Sequence, residues 1–351
     1  MNFKDFIITD RENRNSEKFE GTFLDYLEIV KQNPDVAKLS HKRLYDFIMS
    51  KGVEVLKADE NPRIRKIYGN ETIREYGYFK DDFFGIDKVI MKIVNYLHSA
   101  SMKGEESRQV LYLVGPVGAG KSSLVESLKS ALVHCEPIYS IKGCPMHEEP
   151  LHLVPNHLRD EFNKMLGAQI EGDLCPVCKY RLLHEFNGEY ENFPVERKGF
   201  SIRSRKGIGV VPPVDPNNQD TSILTGSVDI SKMDMYSEDD PRIFSLNGAV
   251  NVGNRGLVEF IEVFKNDVEY LHTIITATQE KSVPSPGKGA MIYFDGVIIA
   301  HSNEAEWNKF KSDHTNEAIL DRIVKVEVPY CLELDEEKKI YEKILKKSNF
   351  K

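Results

Sequence analysis

The stretch GPVGAGKS, residues 115–122, carries the clearest chemical signal in the chain. It has the pattern glycine, four residues and then Gly-Lys-Ser, and it lies between an apolar run at 110–114 and a helical pattern that starts at Ser123. Glycines at 115, 118 and 120 let successive backbone N–H groups turn inward at the positive end of the following helix, where they bind phosphate. The full match in this context predicts a nucleoside triphosphate site; a glycine-rich turn with an exposed lysine is the alternative.

Two side chains of this loop have separate roles in the predicted site. Lys121 would reach the β- and γ-phosphates, and the Ser122 hydroxyl would take one position on a Mg²⁺ ion that keeps most of its water. The residues expected to contact the nucleotide are Gly115, Pro116, Val117, Gly118, Ala119, Gly120, Lys121, Ser122 and Ser123. The loop therefore predicts both a nucleotide and a metal ion.

Two further candidate residues follow predicted strands. The run RGLVEFIEVF is typical of a strand that ends in a carboxylate, at Glu262. Nucleotide hydrolases place an acidic pair there, the first toward magnesium and the second toward the attacking water. Ile261 stands in the first position, and Glu259 points to the other side of the strand from Glu262. Asn303, after the next buried strand, is a candidate for holding the attacking water, with an ordinary turn asparagine as the alternative.

Two short motifs contain most of the cysteines. CPMH places two residues between Cys144 and His147, and CPVC places two between Cys175 and Cys178. Two such pairs can meet as a tetrahedral Cys₃His zinc site, and a structural Zn²⁺ would help a loop-rich segment to fold. The alternative is two unrelated turns with small apolar cysteines. Nearby substitutes for the histidine ligand are His152, His157 and His184.

The composition is that of a soluble globular protein, with 40% hydrophobic and 29% charged residues in 351. The sequence has no apolar run of membrane-spanning length and no secretory signal, so we expect a cytoplasmic protein that does not enter a membrane. A net charge of −8 makes nucleic acid an unlikely partner. The basic run at 197–206 is the local exception; we interpret it as a solvated loop, with contact to an anionic partner as the alternative.

The order of elements predicts an α/β fold. Residues 1–75 form a small helical region, in which Ser40 is a candidate N-cap, and residues 76–351 form the nucleotide-binding domain, with an irregular insertion at about 143–255. A second strand at 137–141 follows the phosphate-loop helix at the distance of a βαβ unit, which favours a parallel sheet with helices on both faces. Residues 291–300 are predicted to form a hairpin that leads into a buried strand.

Taken together, the motifs resemble those of AAA+ ATPases, nearest to the chelatase and MoxR-like group. The matching segments are LTGSVD, NRG, Glu262, residues 272–280, AHSN and AILDR, in that order. More narrowly, CPMHEEPLHLVP, CPVC, GAVNVGNRGLVEFIEVFK and DGVIIAHSNEAEW resemble the PrkA family of bacterial serine protein kinases. This resemblance implies a P-loop NTPase fold, a three-layer αβα arrangement around a parallel sheet.

The resemblance also implies ATP as the nucleotide and roles for individual residues. Residues 115–122 would be the Walker A loop, Glu262 the Walker B glutamate, Asn303 a sensor, and Arg322 an arginine finger that acts on the nucleotide of a neighbouring subunit. The expected partners are then further copies of the chain in a ring and an unidentified protein substrate. Ile261 departs from the usual Walker B pattern, which has an aspartate there.

Three functions remain open from the sequence. The first is the ATP-binding module of a PrkA-type serine kinase that binds and hydrolyses ATP with Mg²⁺; the residues present are those of an ATPase. The second is an ATP-driven remodelling motor or a component of an ATP-dependent protease. The third is a nucleotide-binding switch without turnover, which Ile261 motivates.

Overall fold

The structure is a computed structural model that describes residues 3–16, 18–213, 221–265, 268–286 and 290–347. The strands are β1 (Glu20–Thr22), β2 (Val53–Leu56), β3 (Ile73–Tyr76), β4 (Val110–Val114), β5 (Ile138–Ile141), β6 (Pro194–Lys198), β7 (Ile208–Val211), β8 (Ser227–Val228), β9 (Phe244–Ser245), β10 (Gly256–Ile261), β11 (Ser282–Pro284), β12 (Met291–Tyr293), β13 (Gly296–Ser302) and β14 (Ile323–Glu327). The helices are α1 (Phe3–Ser16), α2 (Phe23–Gln32), α3 (Ser40–Ser50), α4 (Pro62–Tyr68), α5 (Asp87–Ser101), α6 (Lys121–Val133), α7 (Arg159–Leu166), α8 (Pro176–His184), α9 (Ser222–Thr225), α10 (Ala249–Val252), α11 (Val268–Gln279), α12 (Glu304–Lys311), α13 (Glu317–Leu320) and α14 (Leu334–Lys347).

A five-stranded parallel sheet in the order β14-β4-β13-β10-β7 organises the chain. Its central strands are almost entirely buried, which explains why β4 and residues 297–300 of β13 are continuous apolar runs without alternation. Because all five strands point the same way, the residues that follow β4, β10 and β13 meet at one edge of the sheet. This edge, the carboxyl edge, holds the phosphate loop, Glu262 and Asn303.

Helices cover both faces of this sheet. Leu111 and Leu113 of β4 share a core with α3, α5 and α6, and this side is called the α6 face. Tyr112 points the other way, into a core with α11 and α12, on the α11 face. The predicted three-layer αβα architecture is therefore confirmed.

The N-terminal region packs directly on this domain. The α2 side chains Phe23, Tyr26 and Val30 belong to the core of the α11 face, whereas Leu44 and Ile48 of α3 belong to the core of the α6 face. Thr22 and Asp25 form a capping box that starts α2. The predicted boundary at residue 75 falls inside β3, which pairs with β2 as an antiparallel hairpin.

The predicted place of residues 137–141 in the parallel sheet is wrong. β5 pairs antiparallel with β6, which also pairs with β1, in a separate three-stranded sheet. The position beside β10 is taken by β7, from within the stretch predicted as an insertion. Gly209 of β7 allows the α10 main chain to approach, since a Cβ there would lie 2.0 Å from the carbonyl oxygen of Ala249.

Two local predictions also differ from the structure. Ser40 is the first residue of α3, and Leu39 is the N-cap in its place. The N–H and hydroxyl of Ser40 donate to the buried Asp295 carboxylate, at 3.0 Å and 2.7 Å. The hairpin at 291–300 is replaced by pairing of β12 with β11, while β13 runs parallel to β10 and β4. The partner of Ser40 is distant in the chain, as are the strands β10 and β4 that pair with β13, whereas β11 lies only a few residues before β12. Among the described residues, no helix is long and apolar enough to cross a membrane.

Candidate nucleotide site and cysteine cluster

The phosphate loop connects β4 to α6 at the carboxyl edge. Gly118 and Gly120 have φ of +84° and +89°, the left-handed region that glycine adopts without strain, and a Cβ at either position would meet no atom within 4 Å. Gly115 is needed for a different reason, because a Cβ there would lie 2.1 Å from the carbonyl oxygen of Val328. The loop therefore packs closely at Gly115 and is open at Gly118 and Gly120, as a phosphate-binding loop requires.

The first turn of α6 faces this opening. Its N-cap is Gly120, which offers no side chain to cap the first N–H groups, so these donors and the positive helix end are available to an anion. Lys121 donates from Nζ to the carbonyl oxygens of Gly115 and Pro116, at 2.7 Å and 2.8 Å. Ser122 and Ser123 are exposed. The donor set therefore fits a polyphosphate together with a hydrated Mg²⁺ ion.

Two carboxylates lie close enough to Lys121 to affect its pKa. Partial burial holds the pKa of Lys121 below its ordinary value, while the negative charges of Glu304 and Glu262 oppose this shift. Glu304 is the first residue of α12, and the sequence motifs do not single it out. The loop lysine and the predicted Walker B glutamate thus share one electrostatic environment.

Glu262 follows β10 directly and has a φ of +48°, which is unusual for a residue with a side chain. Its carboxylate forms an ion pair with Lys265, whose Nζ also lies 3.6 Å from Glu306. Lys265 is the last residue of the segment GAVNVGNRGLVEFIEVFK, but the sequence predicts no role for it in the site. The positive φ and the lysine together fix where this carboxylate lies at the sheet edge.

Asn303 follows β13 and is the N-cap of α12. Its side-chain oxygen accepts a hydrogen bond of 2.9 Å from the N–H of Glu306. The cap uses the carbonyl half of the amide, so the NH₂ half is the part that can act on a nucleotide. The side chain of Asn303 can therefore serve both as the cap of a turn and as the predicted sensor.

Arg322 lies away from this edge. It directly precedes β14, whose first residue pairs with Val110 at the start of β4, so it lies at the amino edge of the sheet. Its guanidinium donates to the side chain of Gln279 and to the carbonyl oxygen of Ala318, both at 2.6 Å. The two edges are about 16 Å apart along β4. Arg322 is therefore not brought together with the phosphate loop of its own chain.

A cleft of about 1190 Å³ opens beside the phosphate loop. Loop residues Gly118, Gly120 and Ser122 line one side of it. The apolar part of the wall is formed by Phe83, Phe84, Ile86, Tyr330, Ile340 and Ile344. Tyr330 also donates from its hydroxyl to the carbonyl oxygen of Val117, at 2.7 Å, which ties this wall to the loop.

The three thiols of the cysteine motifs come together in the structure, as the sequence predicts. The fourth group beside them is not the predicted histidine. Cys144, Cys175, Cys178 and Glu148 are all buried, with potential ligand atoms within 4.8 Å of one another. His147 lies outside this cluster; it has a φ of +51°, and the next side chain, that of Glu148, faces the thiols.

Glu148 is fixed by its own hydrogen bonds. Its carboxylate accepts from the N–H of Cys175 at 2.7 Å and lies 3.3 Å from Nδ1 of His152. Burial opposes ionisation of Cys144, but hydrogen bonds from the other two thiols hold its pKa well below the ordinary value. Three thiols and a carboxylate in one buried shell form a donor set that can hold a metal ion.

Comparison with known proteins identifies the family. Residues 21–351 match the PrkA AAA domain. This chain belongs to the PrkA AAA domain family. Its core is thus an AAA+ core, and the sequence resemblance stated above is confirmed.

Two relatives that match nearly the whole chain carry different names. ATP-dependent protease PrkA of Bacillus subtilis is 41% identical over 346 residues, which are 97% of this chain and 52% of that protein. Serine/threonine kinase YeaG of Escherichia coli K12 is 37% identical over 356 residues, 99% of this chain and 54% of that protein. The chain spans about half the length of these curated relatives.

Two of the solved structures that the chain resembles share little sequence with it. A model of the complex between subunits BchI and BchD of magnesium chelatase has a TM-score of 0.45 at 16% identity, covering 74% of this chain and 64% of that one. NtrX from Brucella abortus with ADP has a TM-score of 0.38 at 11% identity, covering 74% and 42%.

Proposed function

We propose that this chain is the ATP-binding AAA+ module of a PrkA-type serine protein kinase, and that it binds and hydrolyses ATP with Mg²⁺. The observation that carries the proposal is the meeting of an open phosphate loop, Glu262 and Asn303 at one edge of one parallel sheet. An acid and an amide beside a phosphate cradle are the groups that hydrolysis of a phosphoanhydride requires.

Each residue has a chemical task in this proposal. The N–H groups at 118–122 and Lys121 bind the β- and γ-phosphates, and Ser122 holds the Mg²⁺, which neutralises the charge that develops on the phosphate oxygens. Glu262 accepts the proton of the attacking water, and the NH₂ group of Asn303 orients that water. The apolar walls of the adjoining cleft take the base.

Replacing Lys121 with alanine tests the binding step. We expect ATP affinity to fall roughly 10- to 100-fold, because a charged donor to the phosphates is lost. Calorimetry with ATP in magnesium buffer measures this. The matched control is Lys88→Ala, which removes an exposed lysine that pairs with Glu71 and leaves the loop intact. Equal affinity in the Lys121 and Lys88 variants would contradict the proposal.

The fate of the γ-phosphate separates the kinase from the other functions. Labelled γ-phosphate that appears on a protein serine, and not in Lys121→Ala, supports the kinase module. Release only to water favours a remodelling motor or protease component, in line with the name of the Bacillus relative. ATP binding without turnover favours a switch, the alternative that Ile261 motivates.

We also propose that the cysteine cluster holds a structural Zn²⁺. Thiolates of Cys144, Cys175 and Cys178 are the ligands that Zn²⁺ prefers, and a Glu148 oxygen would be the fourth ligand. The cluster lies where two loop-rich segments meet, so the ion would couple metal binding to their folding.

Replacing Cys175 with serine is expected to remove the metal. Elemental analysis of the purified wild-type chain should give about one Zn²⁺ per chain, and Cys175→Ser should give far less and unfold at a lower temperature. Cys135→Ser is the control, since Cys135 lies outside the cluster. Comparison of Glu148→Ala with His147→Ala identifies the fourth ligand. Zinc retained in Cys175→Ser, or absent from the wild type, would refute the assignment.

A further inference from the structure

A buried ionic cluster lies under the phosphate loop on the α6 face. Glu259 of β10 accepts a hydrogen bond of 2.7 Å from Lys129 of α6, and its other oxygen lies 3.0 Å from Nε2 of His301 of β13. All three residues are buried, with exposures of 2%, 3% and 5%. Buried charges are costly unless they are paired, so this arrangement requires a reason.

The register of the sheet places this cluster beside the position of the missing aspartate. Ile261 of β10 pairs with His301 of β13, and His301 pairs with Leu113 of β4. These three side chains form one row across the α6 face, the last row before the strands end at the phosphate loop and Glu262. His301 therefore lies between the strand that carries the loop and the strand in which Ile261 stands where nucleotide hydrolases usually have an aspartate.

Glu259 determines which nitrogen of His301 can accept a hydrogen bond. Burial opposes ionisation of Glu259, but hydrogen bonds from His301 and Lys129 outweigh it and lower the pKa of the carboxyl group. An ionised Glu259 accepts a hydrogen bond from Nε2–H, which leaves the lone pair on Nδ1. Within the described part of the chain, Nδ1 has no hydrogen-bond partner. A carboxylate that orients a histidine in this way is the usual outer support of a metal site.

We propose that His301 takes the place of the carboxylate missing at Ile261: its Nδ1 accepts a hydrogen bond from a water of the hydrated Mg²⁺ at Ser122. Glu259 is the positioning residue that fixes the tautomer, and Lys129 holds Glu259 against the helix that starts at the loop. This inference rests on the proposed binding of ATP with Mg²⁺. A neutral imidazole suits this task, because Mg²⁺ keeps most of its water when it binds to proteins.

The test compares metal affinity in matched variants of the full chain. Mg²⁺ is titrated into protein saturated with ATP, and binding is followed by calorimetry; Mn²⁺ binding, followed by electron paramagnetic resonance, is an independent readout. We expect His301→Ala to weaken the affinity for the metal about 10- to 100-fold. Binding of metal-free ATP should be unchanged. His301→Gln, which offers both an amide donor to Glu259 and an oxygen acceptor, should keep most of the affinity.

The decisive step is rescue. Ile261→Asp added to His301→Ala should restore the metal affinity, because it supplies the missing carboxylate in the same row of the sheet. His41→Ala is the control. His41 is a buried histidine of α3 that is hydrogen-bonded to Tyr96 and lies outside this cluster. If His301→Ala does not fold, His301→Leu keeps the apolar volume and carries the same expectation.

The outcomes separate this inference from the proposed function. Unchanged metal affinity in a folded His301→Ala variant, or no recovery on adding Ile261→Asp, overturns the role of His301 while ATP binding by the wild type still stands. A wild-type chain that binds no ATP at all refutes the proposed function and this inference with it.

Discussion

Glu262→Gln is expected to lower ATP turnover by about 10²–10⁴-fold, because it removes the base that accepts the proton of the attacking water. ATP binding should remain, since the glycine loop and Lys121 supply the contacts to the phosphates. In the structure this carboxylate is paired with Lys265, which holds it at the end of β10. Phosphate release measured under saturating ATP, beside calorimetric binding, separates the two effects.

The control for this variant is Glu306→Gln. Glu306 lies 3.6 Å from the same lysine, so the control makes the same chemical change in the same electrostatic setting and spares the end of β10. We expect its turnover to stay within a few-fold of the wild type. Equal loss in both variants would mean that charge near Lys265, and no specific base, governs the rate.

The phosphate loop could be predicted from the sequence because its geometry is local. The left-handed φ of Gly118 and Gly120 and the start of α6 are properties of eight consecutive residues. Glu262 and Asn303 could be predicted for a similar reason, since parallel strands that end at one edge bring together the residues that follow them. The sequence supplies those positions once β10 and β13 are recognised as strands.

The features that could not be predicted from the sequence are those that depend on pairing between residues far apart in the chain. The sequence of residues 138–141 is compatible both with a strand of the main sheet and with a strand of a separate sheet. In the structure their partner, β6, lies more than fifty residues later in the chain, and β7 takes the place beside β10. The motif spacing suggests His147 as the fourth group of the cysteine cluster, whereas the left-handed backbone at that residue presents Glu148. The role of His301 becomes visible only through its register with Ile261.

Arg322→Ala is expected to reduce ATP turnover by about 10³-fold, as loss of an arginine finger commonly does. The location of Arg322 at the amino edge, about 16 Å from the loop along β4, leaves it no route to the nucleotide of its own chain. If Arg322 stabilises a transition state, it therefore acts on a neighbouring subunit, and activity requires assembly. The control is Arg159→Ala, which breaks an ion pair with Asp173 and leaves the sheet edge unchanged.

Mixing variants distinguishes action on a neighbour from local damage to the fold. Arg322→Ala subunits keep an intact Glu262, and Glu262→Gln subunits keep an intact Arg322, so a mixed assembly contains complete sites that neither variant forms alone. Turnover of the mixture should exceed the sum of the two separate samples and should fall on dilution as the assembly dissociates. Loss of the hydrogen bonds to Gln279 and Ala318 would lower activity through the subunit's own fold, and mixing could not repair it. Recovery on mixing is thus the result that a merely structural arginine cannot produce.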